Sequence, residues 1–397
     1  MSGIIDKIKV LCSEYFEEIR EVRRHIHANP ELSFHEYETS KYICDKLDQL
    51  GIPYKNGYVK TGILARIEGR APEKKTIALR ADIDALPIKE ANDVPYRSTN
   101  DGVMHACGHD VHSSSLLGAA MILNELKNEW EGTVLCVFQP GEEKIPGGAS
   151  LMLKEGVFDN YKPTGIIGQH VFPDLEVGKV GFKGGQYMAS ADELYLTVHG
   201  KGGHGALPHQ NIDPVLIASY IIVSLQQLVS RKAKPDVPTV LSFGKIQGLG
   251  ATNIIPDKVE LEGTFRTMNE EWRYVAHKEI TKIAEGIAES MGAKCEVNIL
   301  KGYPCLWNDE DMTSKNINAA KQFMGTENVV DLDLRMTSED FAFYTLEMPG
   351  CFYRLGTSNK EKGINAPIHN AHFNIDEEAL KTGMGLMAWM AINELNS

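Results

Sequence analysis

Pairs are what the cysteines of this chain lack. The seven cysteines, at positions 12, 44, 107, 136, 295, 305 and 351, form no Cys-x-x-Cys motif, and an odd number leaves at least one thiol unmatched. That argues against a disulfide framework and for a reducing, cytoplasmic location. Positive charge is also short: 41 Lys and Arg against 54 Asp and Glu give a formal net charge of -13. A nonspecific nucleic-acid binder needs the opposite balance, so no nucleic-acid partner is expected. No stretch approaches the ~20 uninterrupted apolar residues of a membrane span, and no membrane association is expected. The opening MSGIIDKIKVLCSEYFEEIREVRRHIH carries charges every few residues where a signal peptide would be apolar, so it reads as an amphipathic helix of the mature protein. Repeats and low-complexity tracts are missing too.

At 397 residues, with 43% hydrophobic and 24% charged, the chain has the composition of a globular protein too long for one comfortable core. Two compact units are therefore expected. Up to about residue 183, short apolar runs alternate with helical stretches, the pattern of an α/β layer structure with a largely parallel sheet. TIALR (76–80), GTVLCVFQ (132–139) and GIIGQHVF (165–172) read as buried strands, with helical spacing across 112–130 between the first two. A different rhythm fills 184–301: strand ADELYLTVHG, helix DPVLIASYIIVSLQQLVS, strands TVLSFGKIQG and KVELEGTFRT, a helix from Asn269 to Met291, and strand KCEVNIL. That order, βαββαβ, is the ferredoxin-like split βαβ sandwich, and it predicts an insert (184–301) inside a discontinuous first domain (1–183 and 302–397). The final stretch, with a helix from Asp376, resumes the first pattern.

Polar residues gather where strands end, in RADIDALP, QPGEE and GQH, and in open α/β sheets ligands bind at the carboxyl ends of strands. The densest cluster is MHACGHDVH (104–112). Cys107 and His109, separated by Gly108, can point at one place, where a metal would hold the thiol as thiolate. Asp110 and His105 are better placed to orient ligands than to be ligands. A redox role for Cys107 is disfavoured by the absence of a nearby resolving cysteine. In QPGEE, Glu142 and Glu143 follow a Pro-Gly turn, and adjacent side chains on extended backbone face opposite ways. One carboxylate can bind metal while the other faces water and substrate. His170 and His369 extend the set to three imidazoles, a carboxylate and a thiolate, more donors than one tetrahedral zinc takes. A two-metal site follows, of zinc, manganese, cobalt or nickel.

The series RRHIHANPELSFHE (23–36), RADIDALP, MHACGHDVH, QPGEE, GQHVFP, GKGGHGALPH, TNIIPD, TSEDF and HNAHF, in this order, resembles the M20 metallopeptidase family, in its aminoacylase and amidohydrolase branch. The similarity covers nearly the whole chain. It implies a zinc-peptidase-like α/β catalytic domain interrupted by a lid domain through which two chains form a homodimer. It implies two divalent metal ions per subunit, with Cys107, His109, Glu143, His170 and His369 as ligands and Glu142 as general base. The resemblance also makes His204 the donor to the developing oxyanion, supplied to the partner's site, and makes Asn253 and Arg266 substrate contacts. Where many relatives have His-x-Asp, this chain has Asp82-Ile83-Asp84, so Asp82 and Asp84 are expected to support ligands. The expected reaction is hydrolysis of a small N-acyl amino acid or similar amide. A dipeptidase or carboxypeptidase using the same centre is the alternative. A catalytically silent metal-binding relative is a third, which the retention of Glu142 beside Glu143 disfavours.

Overall fold

The computed structural model describes residues 2–397. Contacts divide the chain into two compact units: the chain through Gly185 with Trp307–Asp333 and Asp340–Ser397, and Gln186–Leu306 with Leu334–Glu339.

The first unit is built on an eight-stranded sheet in the order Tyr54–Tyr58, Gly62–Glu68, Thr133–Gln139, Thr76–Asp82, Ile166–Glu176, Gly350–Ser358, Val180–Phe182 and Val329–Asp331. The centre is parallel, from Thr133–Gln139 through Gly350–Ser358. The flanks break this pattern: Tyr54–Tyr58, Gly62–Glu68 and Thr133–Gln139 pair antiparallel, as do Gly350–Ser358 and Val180–Phe182, while the edge strand Val329–Asp331 runs parallel to Val180–Phe182. The sheet is thus more mixed than its apolar runs predict, because the short turn between Tyr58 and Gly62 can join only antiparallel strands. Every residue of Thr133–Gln139 and of Gly350–Ser358 is buried, as central parallel strands covered on both faces require.

The helices His109–Glu125 and Ala379–Leu395 are buried nearly all round and contribute much of the hydrophobic core. The first starts at His109, earlier than its leucine spacing indicates, because Gly108 (φ +82°) turns the chain into it through the left-handed region. A Cβ on Gly108 would meet Val171 at 2.6 Å, so a side chain there is excluded twice over. The last helix begins at Ala379 and not at Asp376, whose carboxylate instead accepts from Asn359 and Lys362. The N-terminal helical stretch is interrupted at Tyr15, giving Ser2–Glu14 and Phe16–Ala28.

The second unit carries an antiparallel four-stranded sheet in the order Thr239–Gln247, Lys258–Thr267, Ser190–His199, Lys294–Lys301. This is the strand order of the split βαβ sandwich. Burial alternates along Ser190–His199, and its inward Leu194, Leu196 and Val198 cluster with Ile217 and Ile221 of helix Pro214–Leu225 and Ala276 and Ile280 of helix Glu270–Ser290. Asp213 and Asn269 cap these two helices by accepting from the backbone N–H of Val215 and Trp272. Pro214–Lys232 is long and apolar enough to cross a membrane by length and composition, although Ser224, Gln226 and Gln227 keep it from being an uninterrupted apolar run. One of its faces is core; on the other, Leu216, Tyr220 and Val223 are 54%, 52% and 72% exposed.

Candidate metal centre

The side chains that gather in the first unit's cluster come from several kinds of element: Cys107, Glu142, Glu143 and His369 from turns, His109 from the first position of helix His109–Glu125, and His170 from inside strand Ile166–Glu176, which runs on past the strand end expected at GQH. Cys107, His109 and His170 bring one potential ligand atom each within 4.8 Å of one another, and so do Cys107, Glu143 and His369. The two groups overlap at Cys107. Cys107 Sγ lies 3.4 Å from His170 Nε2, and His369 Nε2 lies 3.2 Å from Glu143 Oε1. His109 Nε2 is 4.0 Å from Glu142 and 3.9 Å from Glu143. Cys107, His109, His170 and Glu142 are buried, whereas His369 is half-exposed, as a group at the mouth of a site would be.

The tautomers can be read from the partners. His170 Nδ1 is 2.7 Å from the Val171 carbonyl, which only accepts, so Nδ1 carries the proton and Nε2 turns a lone pair toward Cys107. His109 Nδ1 likewise meets the Asp84 carboxylate at 3.1 Å, leaving Nε2 toward the cluster. This carboxylate–imidazole arrangement is the one that orients metal-binding histidines. His109 Nε2 is buried without a hydrogen bond, although oxygens of Asp82, Glu142 and Glu143 lie 3.7 to 4.0 Å away. A cation among these groups would satisfy that nitrogen.

Electrostatics point the same way. Burial works against a charge on His109, yet Asp82, Asp84 and Glu143 overcome it and raise its pKa to about 10. Burial, with Glu143, Glu142 and Asp82 adding to it, pushes the Cys107 thiol well above its ordinary value. Burial, reinforced by Arg354 and His112, holds His170 well below its own. A pocket so rich in carboxylate that it forces a proton onto an imidazole and keeps a thiol neutral is one that a divalent cation would stabilise. The donor set and its excess of carboxylate charge fit metal.

Asp82 and Asp84 are both fully buried and held below the ordinary carboxyl range, despite burial, by His109 together with His112 and Arg80 for Asp82 and Ser33 for Asp84. Asp82 engages His112 Nδ1 at 2.6 Å and Arg80 Nη1 at 2.7 Å. Asp84 accepts from Ser33 Oγ at 2.6 Å and from the Glu143 N–H at 3.0 Å. His112 was not expected in the site. Its Nε2 accepts the Val171 N–H at 2.9 Å while Nδ1 faces Asp82, so it has no nitrogen left for a ligand role. Its spacing of three from His109, one face of a helix, was the available signal. Arg80 was also missed. An arginine inside a strand as apolar as TIALR needs a carboxylate, and it has Asp82 and Asp340, each at 2.7 Å.

Asp110 and His105, expected to orient ligands, hydrogen-bond none of them. Asp110 accepts from Arg23 Nε and faces His27 Nδ1, both at 2.8 Å. The His105 ring makes no hydrogen bond, and burial lowers its pKa to about 3. In the second unit, His204 is exposed and its Nδ1 accepts the Ala206 N–H at 3.1 Å. Ile254 pairs with His204, and the Asn253 carbonyl accepts the Gly205 N–H at 2.9 Å, so Asn253 and His204 are neighbours. Arg266 is half-buried, with Nη1 3.2 Å from the Met336 carbonyl, and burial lowers its pKa.

Thiol, imidazole and carboxylate donors converging beside a buried glutamate define the class of metal-dependent hydrolases. The chain belongs to peptidase family M20/M25/M40, whose pattern matches residues 78–393. It is 40% identical over 376 residues to N-acetylcysteine deacetylase of Bacillus subtilis, covering 94% of this chain and 95% of that protein. Over 396 residues it is 37% identical to thermostable carboxypeptidase 2 of Saccharolobus solfataricus, covering 99% of each. The crystal structure of Bacillus subtilis YXEP protein, a dinuclear metal binding peptidase from M20 family, matches with a TM-score of 0.82 at 36% identity, over 97% of this chain and 99% of that one. The chain is an enzyme of metal-dependent amide hydrolysis, and the reading as a catalytically silent relative is set aside.

Proposed function

We propose that the protein removes the acyl group from N-acyl amino acids or similarly small amides, with two divalent cations held by Cys107, His109, Glu143, His170 and His369. The observation that carries this reading is the pair of donor groups overlapping at Cys107. Bound there, divalent cations supply Lewis acidity toward the amide carbonyl and make a water easier to ionise. Glu142, buried beside His109, takes the proton of the attacking water and returns it to the departing amine nitrogen. Asp84 keeps His109 in the required tautomer and, through the Glu143 N–H, fixes the start of the carboxylate turn. His204 supplies a donor to the developing oxyanion, and Asn253 and Arg266 hold the polar end of the substrate.

The relative named N-acetylcysteine deacetylase supports the deacylase reading; the relative named carboxypeptidase keeps peptide cleavage as the second. A panel of N-acetyl, N-benzoyl and dipeptide amides, assayed with zinc, manganese, cobalt and nickel, tests both. Turnover confined to dipeptides would overturn the first reading. Thiolate, imidazole and carboxylate donors together accommodate all four metals. The exposed stripe of Leu216, Tyr220 and Val223 supports a homodimer through the second unit, and seven unpaired cysteines support a reducing, cytoplasmic setting.

A further inference from the structure

The segment PELSFHE near the N-terminus supplies no group to the donor cluster, yet it runs along the turn that carries Glu142 and Glu143. Ala85 N–H donates to the Glu31 carbonyl at 2.8 Å, laying the segment beside the end of strand Thr76–Asp82. Ser33 Oγ then reaches Asp84 at 2.6 Å. Phe34 turns back with φ +67°, in the left-handed region that a bulky residue occupies at a cost. Its ring packs on Gly141, where a Cβ would meet it at 2.3 Å and where φ is +62°. The two unusual backbone positions face each other, and one buried side chain ties them together. Glu36 Oε1 accepts both the Phe34 N–H at 2.8 Å and the Gly141 N–H at 2.9 Å, and its Oε2 accepts the Thr61 hydroxyl at 2.7 Å.

We propose that Glu36 is a positioning residue for Glu142: its Oε1, shared between the Phe34 and Gly141 amides, clamps the Pro-Gly turn so that the next side chain is presented at a fixed angle. A turn whose glycine adopts φ +62° has other conformations open to it, and a buried amide without an acceptor would select among them poorly. The clamp needs an acceptor oxygen at the Oε1 position and has no need of the negative charge. Glutamine meets that requirement: its carbonyl oxygen replaces Oε1, and its NH₂ faces Thr61 Oγ, which turns from donor to acceptor. Aspartate keeps the charge and is one methylene too short to serve both amides.

The inference rests on Glu142 being the base, and the test separates the two claims. In the metal-loaded enzyme, Glu36→Ala and Glu36→Asp are expected to lower kcat by roughly 10²-fold, the size of effect that a misplacement of about 1 Å produces, with KM and metal stoichiometry nearly unchanged. Glu36→Gln is expected to stay within about threefold of the parent in kcat. Amide hydrogen exchange at Gly141 is expected to speed up at least ~10-fold in the Ala and Asp variants and to hold in Gln. That readout is independent of which residue is the base. If Glu36→Ala does not fold, the contrast between Asp and Gln decides. An unchanged Gly141 exchange rate in Glu36→Asp, or a loss of kcat in Gln as large as in Asp, overturns the clamp. Full activity in Glu142→Gln together with the expected exchange pattern would overturn the base assignment and leave the clamp standing.

Discussion

The backbone N–H of His369 donates to the carbonyl of Ala106 at 2.7 Å, which brings an imidazole from the far end of the chain beside Cys107. His369 adopts φ +59° to do so, a conformation worth about 1–3 kcal/mol of strain in a non-glycine residue. Strain of this kind persists where surrounding contacts over-determine the geometry. Here it sets a half-exposed ligand candidate 3.2 Å from Glu143.

Glu142→Gln keeps the shape of the side chain and removes its ability to accept a proton. Turnover is expected to fall by about 10²- to 10⁴-fold with metal stoichiometry intact. Steady-state rates measured beside elemental analysis of the same preparation check this, and a retained rate would remove Glu142 from proton transfer.

Cys107 belongs to both overlapping donor groups, so its loss should be felt by the whole centre. Cys107→Ser is expected to weaken metal affinity by at least about tenfold and to reduce the preference for softer ions, because a hydroxyl is a harder and less readily ionised donor. Competition titrations with a chelator under zinc and manganese would show it. Equal affinities in variant and parent would make Cys107 a core residue only.

The second unit offers a pH test that involves none of the proposed ligands. Asp192 lies on the inward face of strand Ser190–His199, where it meets Arg273 Nε at 2.9 Å and His277 Nε2 at 2.6 Å. Burial opposes its charge, but these partners win and hold its carboxyl below the ordinary value. The stabilisation is therefore complete above the unfolded pKa of about 3.9 and disappears as pH falls through the lower folded value. Asp192→Asn should cost about 1.5–3 kcal/mol at neutral pH, since it takes one of two carboxylate partners from the buried Arg273 guanidinium and leaves it Glu270 at 3.1 Å. Urea unfolding across pH 2 to 7 should show a flatter acid limb in the variant, and parallel curves would contradict the assignment.

Leu216→Glu combined with Val223→Glu places charges on the exposed apolar stripe of helix Pro214–Leu225 without touching its buried face. Sedimentation is expected to show a dimer for the parent and a monomer for the variant. If the partner subunit's His204 serves each site, Glu142→Ala and His204→Ala chains are each almost inactive, and mixed dimers regain one working site. No recovery in verified heterodimers would take His204 out of the partner's site.

Much of the centre is legible in the sequence because its ligand candidates fall in short motifs, where density of donors substitutes for knowledge of the fold. Cys107 with His109 shows this, and so do Glu142 and Glu143 after an apolar strand. The supporting groups are less visible. Arg80 meets Asp340, 260 residues on, only because the sheet brings distant segments together, and Glu36 reaches Gly141 across 105 residues. Asp110 stands next to His109 in sequence, and adjacency was a poor guide: on a helix, neighbouring side chains diverge by roughly a quarter turn or more, and Asp110 points to Arg23 and His27. The flanking antiparallel strands are less visible: Tyr54–Tyr58 is polar and mostly exposed, and the buried run of Gly62–Glu68 carries no mark of its direction.

The short passage Leu334–Glu339 joins the second unit after the chain has already left it. There the Ala189 N–H meets the carbonyls of Arg335 and Thr337, both at 3.1 Å, and the Arg335 N–H donates to Tyr187 at 2.8 Å. Arg266 adds its contact to the Met336 carbonyl. A fragment cut at Gln186 and Leu306 would lose every one of these partners, those of Tyr187 and Ala189 where it begins and that of Arg266. The insert is therefore no portable cassette: grafted alone into another host it would begin with a frayed edge, and swaps between relatives should carry the later passage along with it.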